Sequence, residues 1–261
     1  VIMPYLYEGR QHVRLINESL DCAQAMQELI RMGVETIITF DAHDNRVQNA
    51  IPNNGFDNFF TSYQFISTIL NDMPDLIVDN EHLMTISPDE GGMRRAVFYS
   101  NQLGVDMGMF FKRRNYSTLV NGEHPVISME FLGNDVSGKD VIIVDDMIAS
   151  GKTVLEVAKE LKKRNAARVI ICATFGLFND GLEELDQAYK EKVFDHIYTT
   201  NLCYCPSALK ERPYYHNVDL SRYIALIIDT LNHDTSVNDI MNATKRIQEL
   251  LEERSKNISS K

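Results

Sequence analysis

Residues 139–153 read Lys-Asp-Val-Ile-Ile-Val-Asp-Asp-Met-Ile-Ala-Ser-Gly-Lys-Thr, and their order decides the fold. Val141, Ile142, Ile143 and Val144 form an unbroken β-branched run, the pattern of a strand covered on both faces in a parallel sheet. Asp145 and Asp146 then stand at a strand's carboxyl end, where open α/β sheets bind their ligands. Val154 to Lys163 reads as a helix, so the turn before it offers the unpaired N–H groups of a helix start to an anion. Ser150, Gly151 and Thr153 are small enough for the backbone to wrap a phosphate. Gly151-Lys152-Thr153 is not a P-loop, because that motif needs a glycine five positions before Gly151 and Asp146 stands there. An isolated acidic pair is equally well a solvated turn, and the rest of the chain has to decide between the two.

The chain has 261 residues, enough for one large or two modest domains. Its 44% hydrophobic and 24% charged content is ordinary for a globular protein. A net charge of −11 argues against nucleic acid as the main partner, since phosphate backbones demand a basic face. An acidic protein that handles phosphates needs cations, and Mg²⁺ is the usual one. Cys22, Cys172, Cys203 and Cys205 have neither the number nor the spacing of a disulfide framework or zinc site, which points to a reduced, cytoplasmic setting. Apolar runs are strand-sized, so no membrane span or signal peptide is expected.

Outward from the central stretch, residues 1–5 read as the end of a buried strand. A helix across Leu20–Ile30 follows, capped by Asn17 or Ser19 and ended by Gly33. Thr36–Phe40 is a strand ending in Asp41-Ala42-His43-Asp44, and a histidine flanked by carboxylates at such a point is a metal candidate. Helical sequence through Leu70 and a break at Pro74 place a boundary near residue 80. His82–Ile86 is a strand ending in Ser87-Pro88-Asp89-Glu90-Gly91-Gly92, where proline stops the strand and the glycines admit close backbone approach. A helix at Met93–Leu103 and a strand at Met107–Phe111 lead to Lys112-Arg113-Arg114. The polar stretch 115–125 reads as a flap, and Val126–Phe131 as a returning strand. Arg168–Thr174 and Ile197–Thr200 are further strands, Asp180–Lys190 is helical, the last helix of the fold runs from Val218 to about Leu231, and Thr244–Lys256 is a polar amphipathic tail.

The central stretch resembles the phosphoribosyl-diphosphate loop of type I phosphoribosyltransferases. The blocks Arg10-Gln11, Asp41-Ala42-His43, Ser87–Gly92 and Lys112-Arg113-Arg114, in that order, narrow the resemblance to ribose-phosphate diphosphokinases. It implies an α/β fold of two related doubly wound parallel-sheet domains, the first incomplete: 1–80, then 81–235 with the ribose-phosphate loop, then a helical tail at 236–261. It further implies diphosphate transfer from ATP to ribose 5-phosphate for nucleotide biosynthesis, in a cytoplasmic homo-oligomer. Arg10 and Gln11 would contact ATP, while Lys112 and Arg114 would act on the transferring group. Asp145, Asp146, Ala149, Ser150, Gly151, Lys152 and Thr153 would hold ribose 5-phosphate, and His43 and Asp89, supported by Asp41, would serve Mg²⁺.

The chain departs from the family pattern at Ala149, where aspartate is usual, and at Lys152, often a small residue. The family's early phenylalanine, asparagine and glutamate block, which a neighbouring subunit lends to the adenine site, has no counterpart, so the chain reads as a fragment. A non-catalytic or regulatory homologue, or a phosphoribosyltransferase that consumes the diphosphate, are the alternatives. The second leaves Arg10-Gln11 and Asp41–His43 without a purpose.

Overall fold

The computed structural model describes residues 1–14, 17–114 and 126–259. The chain opens along one edge of its first strand, where Met3 N–H donates to the Ile38 carbonyl and Ile38 N–H to that of Val1, with a single parallel bridge at Ile2. The buried strand expected at 1–5 is therefore corrected to a half-buried edge segment, in which Pro4 has no N–H to give but still accepts from the Phe40 N–H at 3.3 Å. Helix α1 (Asp21–Arg31) buries Cys22 and Met26. It starts from Leu20 with no side-chain cap, not from Asn17 or Ser19, and closes at Gly33, whose φ of +95° suits glycine.

Strands β1 (Thr36–Phe40) and β2 (Gly55–Phe59) pair in parallel around a 3₁₀ turn at Asn45–Ala50. Side chains alternate along β1: Ile37 joins Leu6, Cys22 and Met26 on one face, and Ile38 and Phe40 enter the main core on the other. Helix α2 (Ser62–Asp72) covers that second face with Phe65, Ile66 and Ile69.

Near residue 80, where a boundary was expected, the chain turns, and the Asp79 carboxylate accepts from the N–H groups of Glu81 and His82. Beyond it run β3 (Leu83–Ser87), α3 (Met93–Leu103), β4 (Asp106–Arg114), β5 (Val126–Leu132), β6 (Asp140–Ile148), α4 (Lys152–Lys163), β7 (Val169–Gly176), α5 (Glu183–Lys190), β8 (His196–Thr200), α6 (Ser207–Lys210), β9 (Tyr215–Val218) and α7 (Ser221–Asn232). Among the described residues these strands form one sheet in the order β5-β4-β3-β6-β7-β8-β9, parallel except for the β4–β5 pair.

The continuous apolar run in β6 is explained by burial on both sides. Ile142 and Val144, with Ile170 and Cys172 of β7, pack on one face, and Val141 and Ile143, with Val169 and Ile171, on the other. The first face also receives Phe40 and Phe59, and Tyr223 of α7 meets both rings, so one core crosses the residue-80 boundary.

The strands of this sheet differ from the sequence reading at three further points. The sixth strand does not stop before its carboxylates but carries Asp145 and Asp146 within it. The fourth strand runs through Lys112, Arg113 and Arg114, because pairing with β5 extends the ladder. Strand β9 was not expected, since His216 and Asn217 break its apolar pattern. The chain ends in α8 (Asn238–Met241) and α9 (Ala243–Ser259), and Arg254 of α9 donates to the carbonyls of Leu70, Met73, Pro74 and Leu76 at the end of α2. None of the described helices is long and apolar enough to cross a membrane.

Candidate active site

The ends of β1, β6 and β7 and the start of α3 converge on two carboxylates. His43, just past β1, donates from Nδ1 to Oδ2 of Asp146 at 2.6 Å. The Asp146 N–H donates to Oδ1 of Asp145 at 2.8 Å. Burial would raise the pKa of Asp146, but the His43 bond and the Arg95 charge outweigh it and hold the carboxyl down to about 2. Asp145 goes the other way, raised well above the ordinary carboxylate value by burial first and then by the charge of Asp146. The two neighbouring acids are thus pushed in opposite directions, Asp146 toward its ionised form and Asp145 toward its protonated one, as expected when two carboxyls share a site. His43 is correspondingly raised by its bond to Asp146, against the opposing effect of burial. With Nδ1–H fixed on a carboxylate, Nε2 is the nitrogen left for a ligand.

Asp41 sits at φ +41° and is buried. Its Oδ1 accepts from Nε of Arg95 at 2.8 Å and its Oδ2 from the hydroxyl of Thr174 at 2.7 Å. Burial raises its pKa, with Arg95 opposing. Thr61 completes the chain through Thr174 at 3.0 Å. Both oxygens of Asp41 are thus engaged in holding the turn that presents His43.

Asp89 closes its own turn, accepting the Gly92 N–H at 3.1 Å while Ser87 donates to its carbonyl at 2.6 Å. It lies near enough to Asp145 to add to the raising of that group. A methyl group at Gly92 would stand 2.9 Å from the Ser87 hydroxyl and 3.3 Å from the Val144 carbonyl, so glycine lets α3 start against β6.

The loop 149–153 opens α4 through Gly151, whose φ is +87°. Asn179 N–H donates to the Ala149 carbonyl at 2.8 Å, bracing the loop from the segment after β7. Lys152 pairs with Asp180 at 3.1 Å on the surface, so its ammonium does not crowd the loop's N–H groups.

On the other side of His43, the Gln11 side chain donates to Glu18 at 3.1 Å and to the Ser19 carbonyl at 3.2 Å. His12 stacks edgewise on His43 with ring centres 5.1 Å apart. The Arg10 charge reaches His43 and Tyr5. Lys112 and Arg114 are placed only by their backbone on β4, opposite Met129 and Val126, and their side chains, like the flap expected at 115–125, lie outside the described residues.

A cavity of about 690 Å³ opens beside these groups, with His43, Asp44, Phe60, Arg95, Phe98 and Asp145 in its wall. Sequence reasoning missed Arg95, Thr174 and Thr61. Nothing in Met93-Arg94-Arg95 says which arginine turns inward, and a threonine in an apolar strand looks like any β-former.

Residues 61–207 match the phosphoribosyl transferase domain family model. The chain is 30% identical over 199 residues to the ribose-phosphate pyrophosphokinase of Ureaplasma parvum, covering 76% of this chain and 57% of that protein. It is 29% identical to the enzyme of the same name from Vibrio parahaemolyticus, covering 92% and 72%. A match to the Mycoplasma genitalium protein again takes in 57% of the relative, so the chain spans little more than half the length of some of its curated relatives. In fold it is similar to phosphoribosylpyrophosphate synthetase from Mycobacterium smegmatis, with a TM-score of 0.75 at 23% identity over 89% of this chain and 71% of that one.

Proposed function

This chain belongs to the phosphoribosyl transferase domain family, and on that premise we propose that it transfers diphosphate from ATP to the 1-hydroxyl of ribose 5-phosphate, giving phosphoribosyl diphosphate and AMP. The observation that carries this reading is the 2.6 Å bond from His43, on the first sheet, to Asp146, beside the ribose-phosphate loop of the second. A phosphoribosyltransferase needs the loop and the acidic pair but has no use for a histidine delivered to them from another sheet.

In this reading the N–H groups of residues 149–153 take the 5-phosphate at the start of α4. Asp145 and Asp146 hold the ribose hydroxyls. Arg10 and Gln11 contact ATP, and Lys112 and Arg114 meet the diphosphoryl group as negative charge shifts in the transition state. Attack by the 1-hydroxyl on the β-phosphorus forms one P–O bond and breaks another, so alignment and charge neutralisation do most of the catalysis.

Magnesium takes oxygen ligands, usually one or two carboxylates completed by phosphates and water. Asp89 would supply such a carboxylate, with His43 serving alongside it and Asp41 as support. No group of three or more metal-ligating side chains is found among the described residues, so the cation would arrive on the nucleotide's phosphates, neutralising their charge. A cytoplasmic homo-oligomer accords with this assignment.

A non-catalytic homologue is the second reading, favoured by Ala149, which puts a methyl group where the resemblance implies a carboxylate. AMP release from ATP that depends on ribose 5-phosphate separates the two readings. Its absence, with sugar phosphate still bound, would leave the non-catalytic one.

A further inference from the structure

Arg95 has no part in the chemistry above, yet it is deeply enclosed, its side chain 14% exposed against an Asp41 that is 7% exposed. A guanidinium buried this deeply is retained where its fork fixes something. Here Nε donates to the Asp41 carboxylate and Nη2 to the Ala42 carbonyl at 3.3 Å, two points on one turn. That turn is pinned to the first sheet by Asp41 N–H to the Phe59 carbonyl at 2.9 Å and Ala42 N–H to Asn58 at 3.0 Å. Arg95 on α3 and Thr174 on β7 pin it to the second. His43 is the next residue along.

Asp41 occupies the left-handed region at φ +41°, uncommon for a residue with a side chain and held only where surrounding contacts over-determine it. Without Arg95 the turn has reason to relax, carrying His43 away from Asp146. Arg95 also faces Asp146 closely enough to favour its ionised form.

We propose that Arg95 is a positioning residue: by clamping the Asp41–His43 turn against the ends of β6 and β7, it sets where His43 stands relative to Asp146 and so couples the nucleotide side of the site to the ribose side. The coupling rests on the reaction assigned above, whereas the placement of His43 does not.

The test compares the 261-residue chain with Arg95→Gln, Arg95→Lys and Thr174→Val. A short imidazole–carboxylate hydrogen bond gives a strongly downfield Nδ1 proton resonance, assigned here through loss in His43→Asn. Arg95→Gln, folded by circular dichroism, should lose or shift that resonance. Its kcat should fall about 100-fold while the KM for ribose 5-phosphate stays within about threefold, the split expected of misplacement rather than lost substrate binding. Arg95→Lys, which keeps the charge but not the fork, should recover part of both.

A purely structural arginine would lower the melting temperature and move neither readout, and an unchanged resonance in folded Arg95→Gln overturns the proposal. If that variant does not fold, Arg95→Lys decides, since it keeps the charge and loses the fork: a shifted resonance supports the proposal, and one identical to the parent's overturns it. Thr174→Val, which removes one Asp41 bond and leaves the Arg95 contacts in place, should shift the resonance less than either Arg95 variant. Should the parent release no AMP, the reaction assignment falls, and the resonance still determines whether Arg95 places His43.

Discussion

The imidazole of His43 and the carboxylate of Asp146, 103 positions apart in the chain, share a 2.6 Å hydrogen bond that joins the two sheets at the site. Its contribution to stability must follow pH. His43 is raised, so its share is complete below the ordinary imidazole pKa and disappears as pH climbs through the raised value. Asp146 is held down to about 2, so its share is complete above the ordinary carboxylate pKa and disappears as pH falls toward that value. Asp146→Asn should therefore cost most between about pH 4 and pH 6.5, roughly 1–3 kcal/mol for a charge-assisted bond. Urea unfolding of both proteins across pH would reveal this, and a difference that stays constant up to about pH 9 would contradict it.

Lys112→Ala is expected to lower turnover by roughly 10²–10³ while leaving ribose 5-phosphate affinity nearly intact, because its charge is wanted where negative charge develops. Steady-state kinetics together with calorimetry check both halves of the statement. Unchanged turnover would remove Lys112 from the mechanism.

Gly151→Ala isolates backbone conformation from crowding. The added methyl would find Leu185 at 3.6 Å, an ordinary contact, so the cost is the φ of +87° alone, about 1–2 kcal/mol. If the variant keeps its loop, ribose 5-phosphate affinity survives and only thermal stability falls. If the strain is relieved by remodelling the loop, affinity falls while stability holds. No change in either would mean that the loop tolerates a side chain there and that its left-handed turn is not what shapes the phosphate site.

Arg254→Ala should destabilise the chain by about 2 kcal/mol, since carbonyls at the end of α2 lose a cationic donor and have no further helical turn to satisfy them. Thermal unfolding measures it. A melting temperature equal to the parent's would mean that α9 does not stabilise α2.

The parts of the site that could be read from the sequence are those in which local pattern and chemistry coincide. The run Val141–Val144 announces a buried strand, the small residues after it the turn that opens α4 through Gly151, and Thr36–Phe40 a strand that ends at Asp41–His43. Where the reading stopped short, distant partners were responsible. Asp145 and Asp146 have poor strand propensity, and β7 keeps them in the ladder by pairing on to Gly176. Pairing with β5 extends β4 through its three basic residues in the same way. The amphipathic pattern of the tail does not reveal what Arg254 does, because its acceptors are carbonyls 178 to 184 positions away. Arg95 was hidden for the same reason, its partner Asp41 being 54 positions back on another sheet.

Incubating the chain with ATP, ribose 5-phosphate and Mg²⁺ while following AMP and phosphoribosyl diphosphate together tests the proposed reaction. The two products should appear in equal amounts, both should require the sugar phosphate, and excess chelator should abolish both. AMP formed without ribose 5-phosphate, products formed in full with the cation removed, or no products from a folded chain that binds both substrates would each contradict it.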